Sequence, residues 1–281
     1  MKILVTGANG QVGQALAIAA DDKDLDVVLA AREDLDITDL KAVISFTDGC
    51  RPDVIVNAAA YTAVDRAEKD VDLAYAINHK GAENLAIAVS KLDIPLLHIS
   101  TDFIFDGSKE EAYLETDSCG PISVYGASKR AGEEAIYNKC VKHIILRTAW
   151  VFGGPVSFVK TMRRLAENRT ELSVVADQFG GPTPAIDIAN SLLTMAGAAV
   201  DSDFDNWGIY HYCGTPKVSW HEFAVEILKD VKGVTVNPIP TSGYPTPAKR
   251  PANSVLDCTK IQDVFGISQP NWKSYLKEEG Q

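Results

Sequence analysis

The sequence predicts an α/β fold, a doubly wound parallel sheet joined to a smaller C-terminal substrate-binding lobe. Three observations lead there. Short apolar runs alternate with helical segments through the first half of the chain. Glycines crowd the turn between the first run and the first helix. Beyond about residue 150 the composition changes, with Pro and Gly frequent in "FGGP", "FGGPTP", "GTPKVSW" and "SGYPTPAKRP".

The elements follow in order. "KILVTG" is a β-branched apolar run ending in Gly, and "QVGQALAIAA" continues it with helical spacing. "LDVVLAA", "PDVIVNAAA", "IPLLHIST" and "KHIILRTAW" are further strand-like runs. Helical segments at 39–48, 67–91 and 124–140 separate them. Apolar strands alternating with helices indicate a parallel sheet covered on both faces. Further helices are expected at 157–168, 185–198 and 219–230. Residues 1–150 are thus assigned to the sheet and 151–281 mainly to the second lobe. No linker separates them, so segments can exchange between lobes.

The 281 residues carry a net charge of −11, 46% hydrophobic and 23% charged residues, enough for a sizeable core. An acidic chain is a poor general ligand for nucleic acid or an anionic membrane. No apolar run is long enough to cross a bilayer, and "MKILVTGANG" reads as a first strand, not a signal peptide. The expected location is the cytoplasm. The five cysteines include no CxxC pair and read as reduced thiols, with no metal site expected.

"VTGANGQVGQAL" places Gly7, Gly10 and Gly13 between strand and helix. Glycine permits positive φ and close backbone approach, and a helix N-terminus offers free N–H groups to a diphosphate. This is the turn of a Rossmann-type NAD(P)-binding domain, with GxxGxxG spacing. The plainer alternative is a tight turn needing glycine for packing. At the end of the second strand stands Arg32, suited to the 2′-phosphate of NADP, where an acid would select NAD. Arg32 reads equally as a solvated cation neutralised by Glu33 and Asp34. Asp36 and Ile37 either flank an adenine or cap the helix beginning near Thr38.

"SVYGASKRAGE" sets Tyr125 and Lys129 four apart, on one face of a helix. A nearby ammonium favours phenolate and lowers a tyrosine pKa, turning the phenol into a usable acid. Thr101, at the end of "LLHIST", supplies a hydroxyl at the edge where ligands of such sheets collect.

With these residues in place the sequence resembles the extended short-chain dehydrogenase/reductase family. "GANGQVG", "PDVIVNAAAYTAVDRAE", "HISTDFIFDG", "YGASKRAGE", "DQFGGPTPAIDIA" and "RPANSVLD" carry the likeness across nearly the whole chain. The resemblance implies that Thr101, Tyr125 and Lys129 are catalytic. It implies that Gly7, Gly10, Gln11 and Val12 face the cofactor diphosphate, and that Ala58, Ala59 and Tyr61 run along the cofactor. Val64, Asp102, Phe103 and Trp150 are implied in the sugar site, and Arg250 and Asn253 in the segment over the nucleotide. The implied reaction reduces the C4 ketone of a dTDP-linked 4-keto-6-deoxy-L-hexose with NADPH, or with NADH, for cell-surface polysaccharide.

Some positions depart from the family pattern. Phe103 stands where a Tyr is common, Ser157 where Asn is common, and Gln14 where some members carry an acid linked to a metal at a dimer interface. A homodimer therefore stays open, without that metal. Dehydratases of the family follow the Thr with Asp-Glu, whereas Asp102 and Phe103 stand here. A reductase for another nucleotide-4-keto sugar and a non-catalytic NADP-binding regulatory subunit are the alternatives. The intact Thr101, Tyr125 and Lys129 set favours catalysis.

Overall fold

The computed structural model describes residues 1–23, 25–154 and 156–276. Six parallel strands form the central sheet: β1 Lys2–Thr6, β2 Asp26–Ala30, β3 Val54–Asn57, β4 Leu96–Thr101, β5 His143–Thr148 and a sixth strand, Gly208–Tyr212. Their spatial order is sixth strand, β5, β4, β3, β1, β2. All five expected strands are present. The sixth comes from the Pro- and Gly-rich half of the chain and was not foreseen.

Strand residues sort between two cores with a period of two. Ile3, Val5, Val54 and Val56 face helix α1 (Gln11–Asp21) and the helix Ala185–Ala199. Leu4 and Ile55 face α2 (Leu40–Cys50), the helix Ala82–Leu92 and the helix Val124–Lys139. A third apolar cluster, around Phe152, Val159, Phe223 and Trp272, lies in the second half of the chain. It includes Leu172 and Val174 of a parallel strand pair, Glu171–Val175 with Thr235–Ile239.

Two local expectations need correction. The helix expected over 67–91 is broken into Val64–Ala67, Val71–Tyr75, a wide π turn Ala76–Gly81, and Ala82–Leu92. The π turn holds Asn78, which donates to the Tyr61 carbonyl and to Ser128 Oγ and accepts from Tyr61 N–H at 2.8 Å. The cap of α2 is Asp39, whose carboxylate accepts from Lys41 N and Ala42 N. Asp36 instead accepts from the backbone and hydroxyl of Thr38, which keep its pKa low, and Ile37 is core.

The five cysteines are thiols, three of them buried. Among the described residues no helix is long and apolar enough to cross a membrane, and no cluster is arranged to hold a metal.

Candidate active site

Strand order reverses at β1 and β3, so a crevice opens over their C-terminal ends. The glycine turn lines it. Gly7 sits at φ 74°, and a Cβ there would lie 2.5 Å from Ala59 N. A Cβ on Gly13 would lie 2.3 Å from Gly7 O. Packing alone demands these two glycines. Gly10 differs: it is the cap of α1, its nearest neighbour to a Cβ is at 3.3 Å, and it brings no side chain to the first helical N–H groups. The first turn of α1 carries no acid, and Gln11 Oε1 is buried without a partner. This cradle fits the diphosphate of a dinucleotide. Gln11 and Val12 begin α1, and Ala58 and Ala59 leave β3 beside Gly7.

At the end of β2, Arg32 is exposed. Its acidic neighbours are engaged elsewhere. Glu33 accepts from Asn9 Nδ2 of the glycine turn at 3.1 Å, and Asp34 accepts from Ala31 N at 2.9 Å. Among the described residues Arg32 forms no ion pair, although its charge helps to lower the Asp36 pKa.

Thr101 ends β4, and its hydroxyl donates to Asp102 Oδ1 at 2.9 Å and accepts from Phe103 N at 3.2 Å. Tyr125 meets it from the helix Val124–Lys139, which Ser123 caps by accepting from Gly126 N. The Tyr125 ring packs edge-on against Phe103, centroids 5.5 Å apart. The small residues after Tyr125 have a physical cause. A Cβ on Gly126 would stand 2.1 Å from the Phe103 carbonyl oxygen, and one on Gly132 would stand 2.2 Å from Asn78 O. Glycine lets the helix lie directly on the two segments that present Thr101 and Asn78.

Electrostatics here run against one expectation. Burial pushes Tyr125 up to about 12, outweighing hydrogen bonding to Thr101, while the Asp102 charge adds to the rise. Lys129 does not lower it, because its amine is committed elsewhere. Nζ lies 3.0 Å from His98 Nε2 and donates to Ile99 O at 2.6 Å. Burial brings Lys129 itself down to about 8, with Glu133 working the other way. Burial also raises Asp102 to about 6, against hydrogen bonds from Ser254 and Thr101. Behind the helix, Glu133 accepts from Arg147 at 2.8 and 2.9 Å, a two-pronged pair that is 1% exposed at both ends. Burial alone would raise the Glu133 pKa, but Arg147 holds it below the usual range.

The remaining residues surround the opening. Trp150 follows β5 at φ 48°, and its ring stacks on Trp220 with centroids 3.6 Å apart. Val64 opens the helix Val64–Ala67, whose Asp65 grips Arg250 by two hydrogen bonds of 2.8 and 3.0 Å. Arg66 pairs with Asp70 instead, and Asp70 also accepts from the Tyr61 hydroxyl at 2.7 Å. Asn253 donates to the carbonyls of Lys109 and Glu111, tying two loops together. His98, Asn57 and Asn78 were not singled out from sequence. The one signal was a polar residue inside an apolar run or helix, as in "LLHIST" and "VIVN".

A sheet of this order, with a glycine turn at its switch point and Thr, Tyr and Lys meeting at one edge, is that of an extended short-chain dehydrogenase/reductase. More narrowly, the chain belongs to the family described as RmlD substrate binding domain, whose model matches residues 1–279. A relative from Aggregatibacter actinomycetemcomitans, named dTDP-4-dehydrorhamnose reductase, is 46% identical over 285 residues, covering 98% of this chain and 97% of its own. A crystal structure of a dTDP-4-dehydrorhamnose reductase from Clostridium acetobutylicum superposes with TM-score 0.94 at 40% identity, covering 99% of this chain and 98% of that one. One from Bacillus anthracis, in complex with NADP, gives TM-score 0.92 at 37% identity, covering 99% and 97%.

Proposed function

We propose that this chain reduces the C4 ketone of dTDP-4-dehydro-6-deoxy-L-mannose to dTDP-L-rhamnose with NADPH, in the cytoplasm, for polysaccharide synthesis. The observation that carries this reading is the meeting of Thr101, Tyr125 and Lys129 at the sheet edge, in a chain whose relatives of that name align end to end.

NADPH, when bound, supplies the hydride; the Gly7–Gly13 turn and the start of α1 would hold its diphosphate, and Arg32 its 2′-phosphate. Tyr125 keeps its proton at neutral pH, since burial holds its pKa at about 12. It is therefore in the form a proton donor needs as negative charge develops on the sugar oxygen. Thr101 would bring a second hydroxyl to the same oxygen once its single proton turns toward the sugar from Asp102 Oδ1, to which it donates in this structure. With cofactor bound, Lys129 would reach its nicotinamide ribose and, once charged, would ease proton loss from Tyr125. Phe103, where a dehydratase places Glu, leaves no base to draw off the sugar's proton. Trp150 and Val64 wall the sugar, while Arg250, steadied by Asp65, offers its free edge to the diphosphate. Residues 151–281 mainly serve the substrate.

The test follows NADPH absorbance with dTDP-4-keto-6-deoxyglucose, with and without a 3,5-epimerase. Oxidation that requires the epimerase and falls by a factor of about 10² to 10⁴ in Tyr125→Phe is the expected result. Oxidation without the epimerase would redirect the reading to another 4-keto sugar. Cofactor binding without turnover would redirect it to a regulatory subunit.

A further inference from the structure

One buried ionisable group has no part in the mechanism above. His98, on β4, is 1% exposed, and both of its ring nitrogens are engaged. Nδ1 lies 2.9 Å from Asn57 Nδ2, and Nε2 lies 3.0 Å from Lys129 Nζ. The far end of this chain decides which group donates. Asn57 Oδ1 accepts from Ala59 N–H at 3.0 Å and from the Thr6 hydroxyl at 2.8 Å. A backbone N–H can only donate, so the amide oxygen must face Ala59 and the amide nitrogen must face His98. That nitrogen also only donates, so Nδ1 is the accepting nitrogen. A neutral imidazole then carries its proton on Nε2, directed at Lys129.

An ammonium has no lone pair to receive that proton, whereas an amine has one. The amine also keeps two protons, and one is enough for Ile99 O at 2.6 Å. With Lys129 uncharged, each contact in the chain from Ala59 to Ile99 pairs one donor with one acceptor. With Lys129 charged, two donors face each other at 3.0 Å between residues that are 1% and 2% exposed. Moving the imidazole proton to Nδ1 transfers the conflict to Asn57, and turning the amide transfers it to Ala59 N–H.

We propose that His98 is a positioning residue for the reduction, and that its Nε2–H holds Lys129 as an uncharged amine in the cofactor-free protein. The role in reduction rests on the function proposed above, while the charge assignment rests on hydrogen-bond direction alone. Burial acts in the same sense, bringing Lys129 down to about 8 and holding His98 well below its usual range, with the Lys129 charge as a second cause for His98. The surrounding groups are few. Glu133, one turn along the same helix, favours the ammonium, but its carboxylate is taken by Arg147 of β5 and by Arg130. Tyr125 lies one turn earlier, and Asp102 at the end of β4 bears on Tyr125. The adjoining π turn presents Asn78, which is neutral. A cofactor that draws the amine away from His98 would thereby let it take up the proton that its catalytic role requires.

Two measurements on the protein without cofactor or substrate test this. Long-range 1H–15N correlation on histidine-labelled protein reads the His98 tautomer, assigned through its backbone neighbours. The expected result is neutral Nε2–H; an Nδ1–H tautomer or an imidazolium overturns the proposal. Titration of 13C-labelled lysine reads Lys129, assigned by its loss in Lys129→Met. Its midpoint is expected below 8, rising by about one unit in His98→Gln, whose amide oxygen can accept from an ammonium. A midpoint that does not move in that variant overturns the proposal. Neither readout involves turnover, so loss of the reductase reading would leave both results interpretable.

Discussion

Gly126→Ala tests whether the approach of the helix Val124–Lys139 to β4 sets the reaction rate. The added methyl would stand 2.1 Å from the Phe103 carbonyl oxygen, where real Cβ contacts stay beyond 3.0 Å. The obstacle is backbone, so it cannot swing aside. Either the helix, which carries Tyr125, or the 102–104 turn, which directly follows Thr101, must move by about 1 Å. A displacement of about 1 Å in a reacting group costs on the order of 10²-fold in rate. Overpacking adds about 1–3 kcal/mol of destabilisation. The assay is kcat for NADPH oxidation, with circular dichroism to confirm the fold. Gly197→Ala is the control: its helix position has open space, so it should keep full kcat and gain up to about 1 kcal/mol. Full kcat in Gly126→Ala would refute the argument, because the spacing between helix and strand would then be slack.

Four further outcomes follow from the same geometry. Glu133→Gln leaves Arg147 charged and unpaired inside the protein, so urea denaturation should show a loss of about 3–5 kcal/mol; a loss under about 1 kcal/mol would mean that water reaches the pair. Arg32→Ala should raise KM for NADPH about tenfold and leave that for NADH unchanged, and an equal change for both would remove Arg32 from 2′-phosphate recognition. Arg250→Ala should raise KM for the nucleotide sugar about tenfold with little change in Tm, since its pair with Asp65 is half-exposed; an unmoved KM would end that assignment. Asp102 has its folded pKa raised to about 6, so the folded state holds the proton more tightly than the unfolded chain. Its contribution therefore falls as pH rises from about 4 to about 6, by at most about 3 kcal/mol, and Asp102→Asn should flatten that part of the stability profile.

What the sequence disclosed was local. The apolar runs of β1 to β5, the glycine turn and the Tyr125–Lys129 spacing each lie within a few consecutive residues. The sixth strand was hidden because "GIYHY" is short and half polar, and only pairing with β5, far back along the chain, makes it a strand. The break in the helix over 67–91 depends on Asn78 reaching Tyr61 and Ser128, neither of them near it in sequence. The sequence offered Asp36 as the cap near Thr38, and the path of the backbone gave that place to Asp39. The grip of Asp65 on Arg250 spans 185 residues and has no sequence signature. The direction of the Lys129 shift was beyond spacing rules for the same reason. Position four along a helix shows that two side chains share a face, but not that His98 waits on the strand beneath.

The path of the chain through the sheet has a consequence for synthesis. After β5 the polypeptide leaves to begin the third apolar cluster, then returns with the helix Ala185–Ala199 and the strand Gly208–Tyr212. On a ribosome, Ile3, Val5, Val54 and Val56 must therefore wait for Ile188 and Leu192 before that side of the sheet is sealed. A nascent chain stalled near residue 150 would expose both this face and the free edge of β5. That face and edge stay uncovered until the return segment emerges, and no cut near residue 150 yields a finished sheet.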